Sequence, residues 1–247
     1  MNDFLDGIRW LTDSAHWWGI GGIANRLREH VWYSLLATLL AMAFALPIGM
    51  IIGHTGRGRF VAASTGTVLR AIPTFGVVAL LFIWKPLSLW PVLVSLAVLA
   101  IPPILLNTAA GIDSVDPQAR DAARGMGLTG WQVLTRVELP CAVPLILAGV
   151  RSAANQVIAT ATVAGFKGLG GLGRFIFTGY GTQHYDVVYG ASVAVVIVVL
   201  VVELAFALLQ SRLVSPGLQP ASTRLITRGG THRPSTGRPV IEQRSFE

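Results

Sequence analysis

Residues 31–53 read VWYSLLATLLAMAFALPIGMIIG, twenty-three consecutive positions without a charged side chain. A helix rising 1.5 Å per residue needs about 20 such positions to cross the hydrocarbon core of a bilayer. Backbone polar groups have no water to bond with there, so the run must satisfy them internally as a helix. Pro47 falls near its end. Gly49 and Gly53 form a small-xxx-small pair of the kind that admits a neighbouring helix, although that spacing is common by chance.

Working outward from this run, four further spans emerge. Residues 71–84 are uncharged but too few, so the second span must reach back towards Phe60. That places Arg70 near or inside the membrane and Pro73 within the helix. Residues 86–112 are again uncharged and hold a third span distorted by Pro102-Pro103. The fourth, 139–166, is interrupted by Arg151 and carries Asn155, Gln156, Thr160 and Thr162. The fifth, 187–210, is rich in valine and contains Glu203. The fold class expected is therefore all-α, a polytopic membrane bundle of about five transmembrane helices with a helical loop at the cytoplasmic face.

Composition agrees. Hydrophobic residues make up 53% of the 247 and charged residues 13%, half the share usual in a soluble domain. Mean hydropathy is +0.61. Residues 1–30 mix Trp10, Trp17 and Trp18 with charges and read as an interfacial segment. No apolar run precedes Val31, so a cleavable signal peptide is not expected. Residues 213–247 hold Pro, Gly, Ser, Thr and Arg, cannot bury a core, and read as a disordered basic cytoplasmic tail. Between these ends, 31–212 forms one transmembrane domain.

The net charge of +7 comes mainly from arginines in loops and tails rather than on one face, which favours topology control over nucleic-acid binding. With the 113–139 loop on the cytoplasmic side, twelve of the nineteen Lys and Arg lie inside. The N-terminus is then outside and the C-terminus cytoplasmic. Cys141 is the single cysteine, and the five histidines show no metal-ligand spacing.

The loop at 113–140 reads DSVDPQARDAARGMGLTGWQVLTRVELP. Asp116 suits an N-cap and Pro117 the first helical position. Gly127 offers a stop after Met126. Thr129 and Gln132 have capping-box spacing, so a second short helix begins at once. Pro140 is expected to end it and open the next span. Ala122 and Ala123 permit close approach by a partner, and Met126 and Leu128 supply apolar contact. By pattern alone the loop is either a docking surface or an ordinary connector lying on the membrane.

Asp121, Ala122, Ala123, Gly127, Val137, Leu139 and Pro140 together resemble the EAA loop of bacterial ABC-importer permeases, with Asp for the family's Glu and Val for its Ile. In that family the loop docks into a groove on the ATPase subunit and transmits its closure to the membrane helices. Residues 123–153, the IPT at 72–74, LLNTAAGI at 105–112 and GLGGLG at 168–173 are similar to the branch importing glycine betaine, choline and carnitine. The likeness spans 29–212; Lys167 and Leu169 depart from that branch. It implies a bacterial inner-membrane permease that binds no cofactor itself. ATP and Mg would be used by a cytoplasmic ATPase dimer. A second permease chain, identical or homologous, and a separate extracytoplasmic substrate-binding protein would complete the system.

Gly168–Gly173 also satisfies G-x-G-x-x-G, but a membrane span precedes it instead of a strand, so nucleotide binding is rejected and a flexible hinge at the outer mouth preferred. No G-x-x-x-x-G-K-[ST] occurs. Arg151 lies about 16 Å past Pro140 and Glu203 about 12 Å before Ser211, measured from the same side. They can pair between spans four and five, as a structural ion pair or a solute contact. Pro73, Asn107, Thr108, Asn155, Thr160 and Thr162 are candidates for the translocation path, or for helix-to-helix hydrogen bonds. A quaternary ammonium is normally held over aromatic faces. Trp and Tyr cluster near the interfaces here, which places affinity in the separate binding protein. A related importer of another small solute, such as an amino acid, is the alternative. A membrane enzyme finds no paired carboxylates, nucleophile elbow or metal cluster, and an autonomous channel would leave the loop without a partner.

Overall fold

Among the described residues, each uncharged run is largely helical. The computed structural model describes residues 2–58, 60, 64, 74–85 and 88–213, all within the unit Met1–Val214. Every regular element among them is helical: α1 (Asn2–Thr12), α2 (Ile23–Thr55), α3 (Thr74–Trp84), α4 (Trp90–Asp113), α5 (Pro117–Gly125), α6 (Gly130–Val133), α7 (Leu139–Thr160), α8 (Gly173–Gly181) and α9 (Tyr185–Leu213). Among the described residues, four helical stretches are long and apolar enough to cross a membrane: Ile23–Thr55, Trp90–Asp113, Gly130–Phe166 and Tyr185–Arg212. The remainder of the expected second span, with Arg70 and Pro73, lies outside the described residues, as does the expected tail.

The first span begins earlier than its uncharged core. Arg26 and Glu29 fall within the first turns of α2 and neutralise one another at 2.9 Å, so charge there does not prevent helix. At 33 residues α2 is about 50 Å long, well beyond a bilayer's hydrocarbon thickness. It stops at Gly56, whose φ of +69° suits a left-handed cap; its N–H donates to Ile52 O.

Buried small residues recur every fourth position along α2: Ala37, Ala41, Ala45, Gly49 and Gly53. This stripe lies against α4. A Cβ at Gly49 would stand 2.8 Å from Thr108 Cβ, and one at Gly53 2.6 Å from Ile112 Cβ. In lipid, where apolar burial gives helices no drive to associate, such backbone proximity supplies the dispersion contact that holds them. The Gly49/Gly53 spacing is therefore a packing seam. Helix α4 in turn lies on α7, where a Cβ at Gly149 would meet Asn107 Cβ at 2.6 Å. Pro102 and Pro103 sit buried inside α4, which continues through both.

The N-terminal segment is docked rather than loose. Gly7 of α1 meets Tyr189 and Gly190 of α9, Phe4 packs edge-on against Tyr189, and Trp10 against Phe175 of α8. Phe4, Leu5 and Ile8 remain exposed.

Candidate functional site

Local chemistry builds the loop between α4 and α7. The Asp116 carboxylate accepts from Gln118 N at 2.8 Å and caps α5. At the other end Gly127 adopts φ +85°. Its N–H donates to Arg124 O and that of Leu128 to Ala123 O, closing a Schellman motif. Thr129 then caps α6: Gln132 N donates to its hydroxyl at 3.4 Å, and Thr129 N donates to Gln132 Oε1 at 2.9 Å.

Two expectations are corrected here. Pro140 does not end the second short helix. Residues Leu134–Glu138 widen into a π turn, with Leu139 N–H donating five residues back to Leu134 O. That looser register carries the chain into α7 across a residue that has no N–H to give. Ala123 does not lie on the exposed face of the loop. It is buried, as are Val133 and Leu134. Asp121, Ala122, Arg124, Met126 and Trp131 form the exposed face, Met126 at 75% and Trp131 at 71% exposure. Val137 and Leu139 are half-buried, while Gly127 and Pro140 are open.

Beneath the exposed face lies a carboxylate that sequence reasoning passed over. Glu138 is wholly buried. Its Oε2 is 2.6 Å from His54 Nδ1, in the last turn of α2, and its Oε1 is 2.9 Å from Arg120 Nε, on α5. The Arg120 contact is one of charge; the Nε–H is not aimed along a hydrogen bond. Arg120 also donates through Nη2 to Ile112 O near the end of α4. The available signal was the position itself, since an acid among inward-facing apolar residues implies a partner.

Among the intramembrane candidates, Arg151 and Glu203 stand together, with Arg151 Nη2 on Glu203 Oε1. Asn155 Nδ2 donates to the other oxygen at 2.6 Å. The two charged side chains are 32% and 35% exposed on the α7–α9 seam. Thr108 is fully enclosed between α2 and α4. Asn107 donates to Pro103 O at 2.8 Å, beside α7. Thr160 ends α7, and Thr162 donates to Ala159 O at 3.0 Å in the 3₁₀ turn that follows. These polar groups do not converge on one point; only Asn155 joins the ion pair. Replacing Arg151 with alanine is expected to lower the yield of membrane-assembled protein several-fold, and adding Glu203→Ala to lower it little further. Quantitative blotting of detergent-stable permease reads this, and strictly additive losses would exclude coupling.

At the opposite end, the loop at 168–173 is fastened to α2 rather than hinged freely. Gly171 N donates to Glu29 Oε2 and Tyr33 OH to Leu169 O, both at 2.9 Å. Gly168, Gly170 and Gly171 take positive φ, which lets the backbone turn tightly beneath the Glu29 carboxylate.

The helices α2, α4 and α7 thus meet beneath an exposed, capped helix pair, in a bundle with several stretches apolar enough to cross a membrane. Residues 45–215 match the family described as binding-protein-dependent transport system inner membrane component. The chain belongs to that family, the permeases of ABC importers. It is 35% identical over 193 residues to the carnitine transport permease protein OpuCB of Listeria monocytogenes, covering 78% of this chain and 88% of that protein. It is 30% identical to the glycine betaine/carnitine/choline permease OpuCB of Bacillus subtilis, covering 81% and 92%. The osmoprotectant import permease OsmW of Salmonella typhimurium is 29% identical over 87% of this chain and 100% of its own length. An inward-facing MetNI methionine ABC transporter chain shares the fold, with TM-score 0.67, 20% identity, and 78% and 96% coverage. The protein is thus a multi-pass inner-membrane transport component and not an enzyme; ATP hydrolysis belongs to a separate subunit.

Proposed function

We propose that this permease imports a compatible solute of the glycine betaine, carnitine and choline class by alternating access. The observation that carries the coupling is the exposed face of Asp121, Ala122, Arg124 and Met126, presented where α2, α4 and α7 converge. The solute class is supported by the relatives named for carnitine, choline and osmoprotectants. The exposed loop docks on a cytoplasmic ATPase pair that uses ATP and Mg, while this chain binds neither. Two permease chains, identical or homologous, enclose the path, and an extracytoplasmic binding protein delivers the solute. Arg57, Arg120, Arg124, Arg136 and Arg212 favour a cytoplasmic loop and C-terminus, with the N-terminus outside.

Uptake of labelled glycine betaine into cells expressing the complete system tests the reading. Saturable uptake displaced by carnitine or choline is the expected result. Uptake displaced instead by an amino acid would transfer the chain to an amino-acid importer. Failure of the ATPase to co-purify with the permease would remove the coupling assignment.

A further inference from the structure

The docking face and the spans beneath it are separate pieces of chain, and something must make them move together. Helix α5 is nine residues long and contributes one buried side chain, Ala123, to the interior. So small an apolar anchor, with dispersion worth a fraction of a kcal/mol per atom pair, is a weak grip for transmitting a push. Glu138 provides a different kind of connection. It sits at the last position of the π turn, where α6 passes into α7. Two side chains from other segments reach it: the Arg120 guanidinium from the middle of α5 and the His54 imidazole from the last turn of α2. Their side chains are 17% and 22% exposed, against 1% for the carboxylate, so the cluster is largely shielded from water. Arg120 adds a fourth segment by donating to Ile112 O at the end of α4.

We infer that Glu138, Arg120 and His54 form a clasp that couples movement of the docking helix α5 to the ends of α2, α4 and α7. This rests on the proposed docking of α5 to an ATPase. The physical reason lies in the combination of burial and charge. Removing one member of a shielded charge cluster leaves the others without their partner, so the members resist separation more than apolar neighbours that can slide past one another. A displaced α5 must therefore drag Glu138, and with it α7, or pull on His54 and the Ile112 carbonyl, and with them α2 and α4. Without the clasp, α5 can follow its partner while the spans stay behind. The π turn belongs to the same device. It lets Glu138 point inward one residue before the α7 register begins, two residues ahead of Pro140.

These are positioning residues. None lies on the exposed docking face, so the clasp and the docking surface are distinguishable by experiment. The complete importer is reconstituted in proteoliposomes with native permease, Glu138→Gln, Arg120→Gln or Arg120→Lys. Three quantities are measured on assembled complex: ATPase co-purifying per permease, ATP hydrolysed, and solute taken up per ATP. Glu138→Gln keeps side-chain size, which guards against simple misfolding, while Arg120→Gln shortens the side chain and removes its charge. The expected result is native co-purification, retained ATP hydrolysis, and uptake per ATP lowered about tenfold, within the range of allosteric coupling between sites. Arg120→Lys, which keeps the charge, is expected to restore much of the ratio. Native uptake per ATP in both Gln variants would overturn the clasp. Uptake and hydrolysis falling in proportion, with the ratio unchanged, would also overturn it, since that marks loss of folded protein and not of coupling. An ATPase that never co-purifies with native permease would instead refute the docking on which the inference rests.

Discussion

Replacing Gly127 with valine is expected to reduce uptake by the complete importer at least tenfold while leaving permease abundance in the membrane unchanged. Gly127 holds φ +85°. A β-branched residue adopts that region only at a cost on the order of 1–3 kcal/mol. The Schellman bonds from Gly127 and Leu128 to Arg124 and Ala123 depend on it. Losing them re-aims α5 relative to α6 and so turns the exposed face of Asp121, Ala122 and Met126. The site itself is open, with no atom within 4 Å of a Cβ placed there, so crowding will not unfold the bundle. Membrane fractionation with blotting, beside solute uptake, separates the two effects. Undiminished uptake by the variant would take the loop out of the coupling path.

Gly173→Ala acts by the opposite route and is expected to prevent accumulation of folded permease. A Cβ on Gly173 would stand 1.8 Å from the carbonyl oxygen of Thr162, and one on Gly165 2.1 Å from the carbonyl carbon of Gly173. Both obstacles are main chain, and no rotamer change relieves them. The 3₁₀ turn Ala161–Lys167 and the start of α8 therefore cross backbone to backbone. Overpacking of this kind falls in the severe class of single substitutions, more than about 4 kcal/mol. Yield and thermal unfolding in detergent measure it. Gly125→Ala is the matched control. Nothing lies within 4 Å of its Cβ, so it is expected to be neutral or stabilising by under about 1 kcal/mol. A Gly173→Ala protein as abundant and stable as the control would mean that this crossing relaxes at little cost.

Local rules explain which parts of the molecule were legible. Asp116, Gly127, Thr129 and Gln132 act within a few residues of themselves, and each occupies the role its type and spacing predict. Pro140 was misread because propensity treats proline as a stop, whereas a π turn one register wider absorbs it. The direction in which Ala123 points, and the fastening of the 168–173 loop to Glu29, depend on neighbours far away in sequence.

The sequence by itself determined a helical membrane protein, its family and the position of the capped helical loop between α4 and α7. Uncharged runs, caps and a spaced motif are properties of contiguous chain, and the bilayer permits few other solutions. Only tertiary structure decided that Gly49 and Gly53 form a seam on α4 and that Asn155 joins the Arg151–Glu203 pair. It alone also brought His54, Arg120 and Glu138 to one buried point. His54 and Glu138 lie 84 positions apart in the chain. No local pattern encodes which cation a buried acid will meet; packing of α2, α4 and α7 brings them together, and the cost of burying a lone charge requires that one be there.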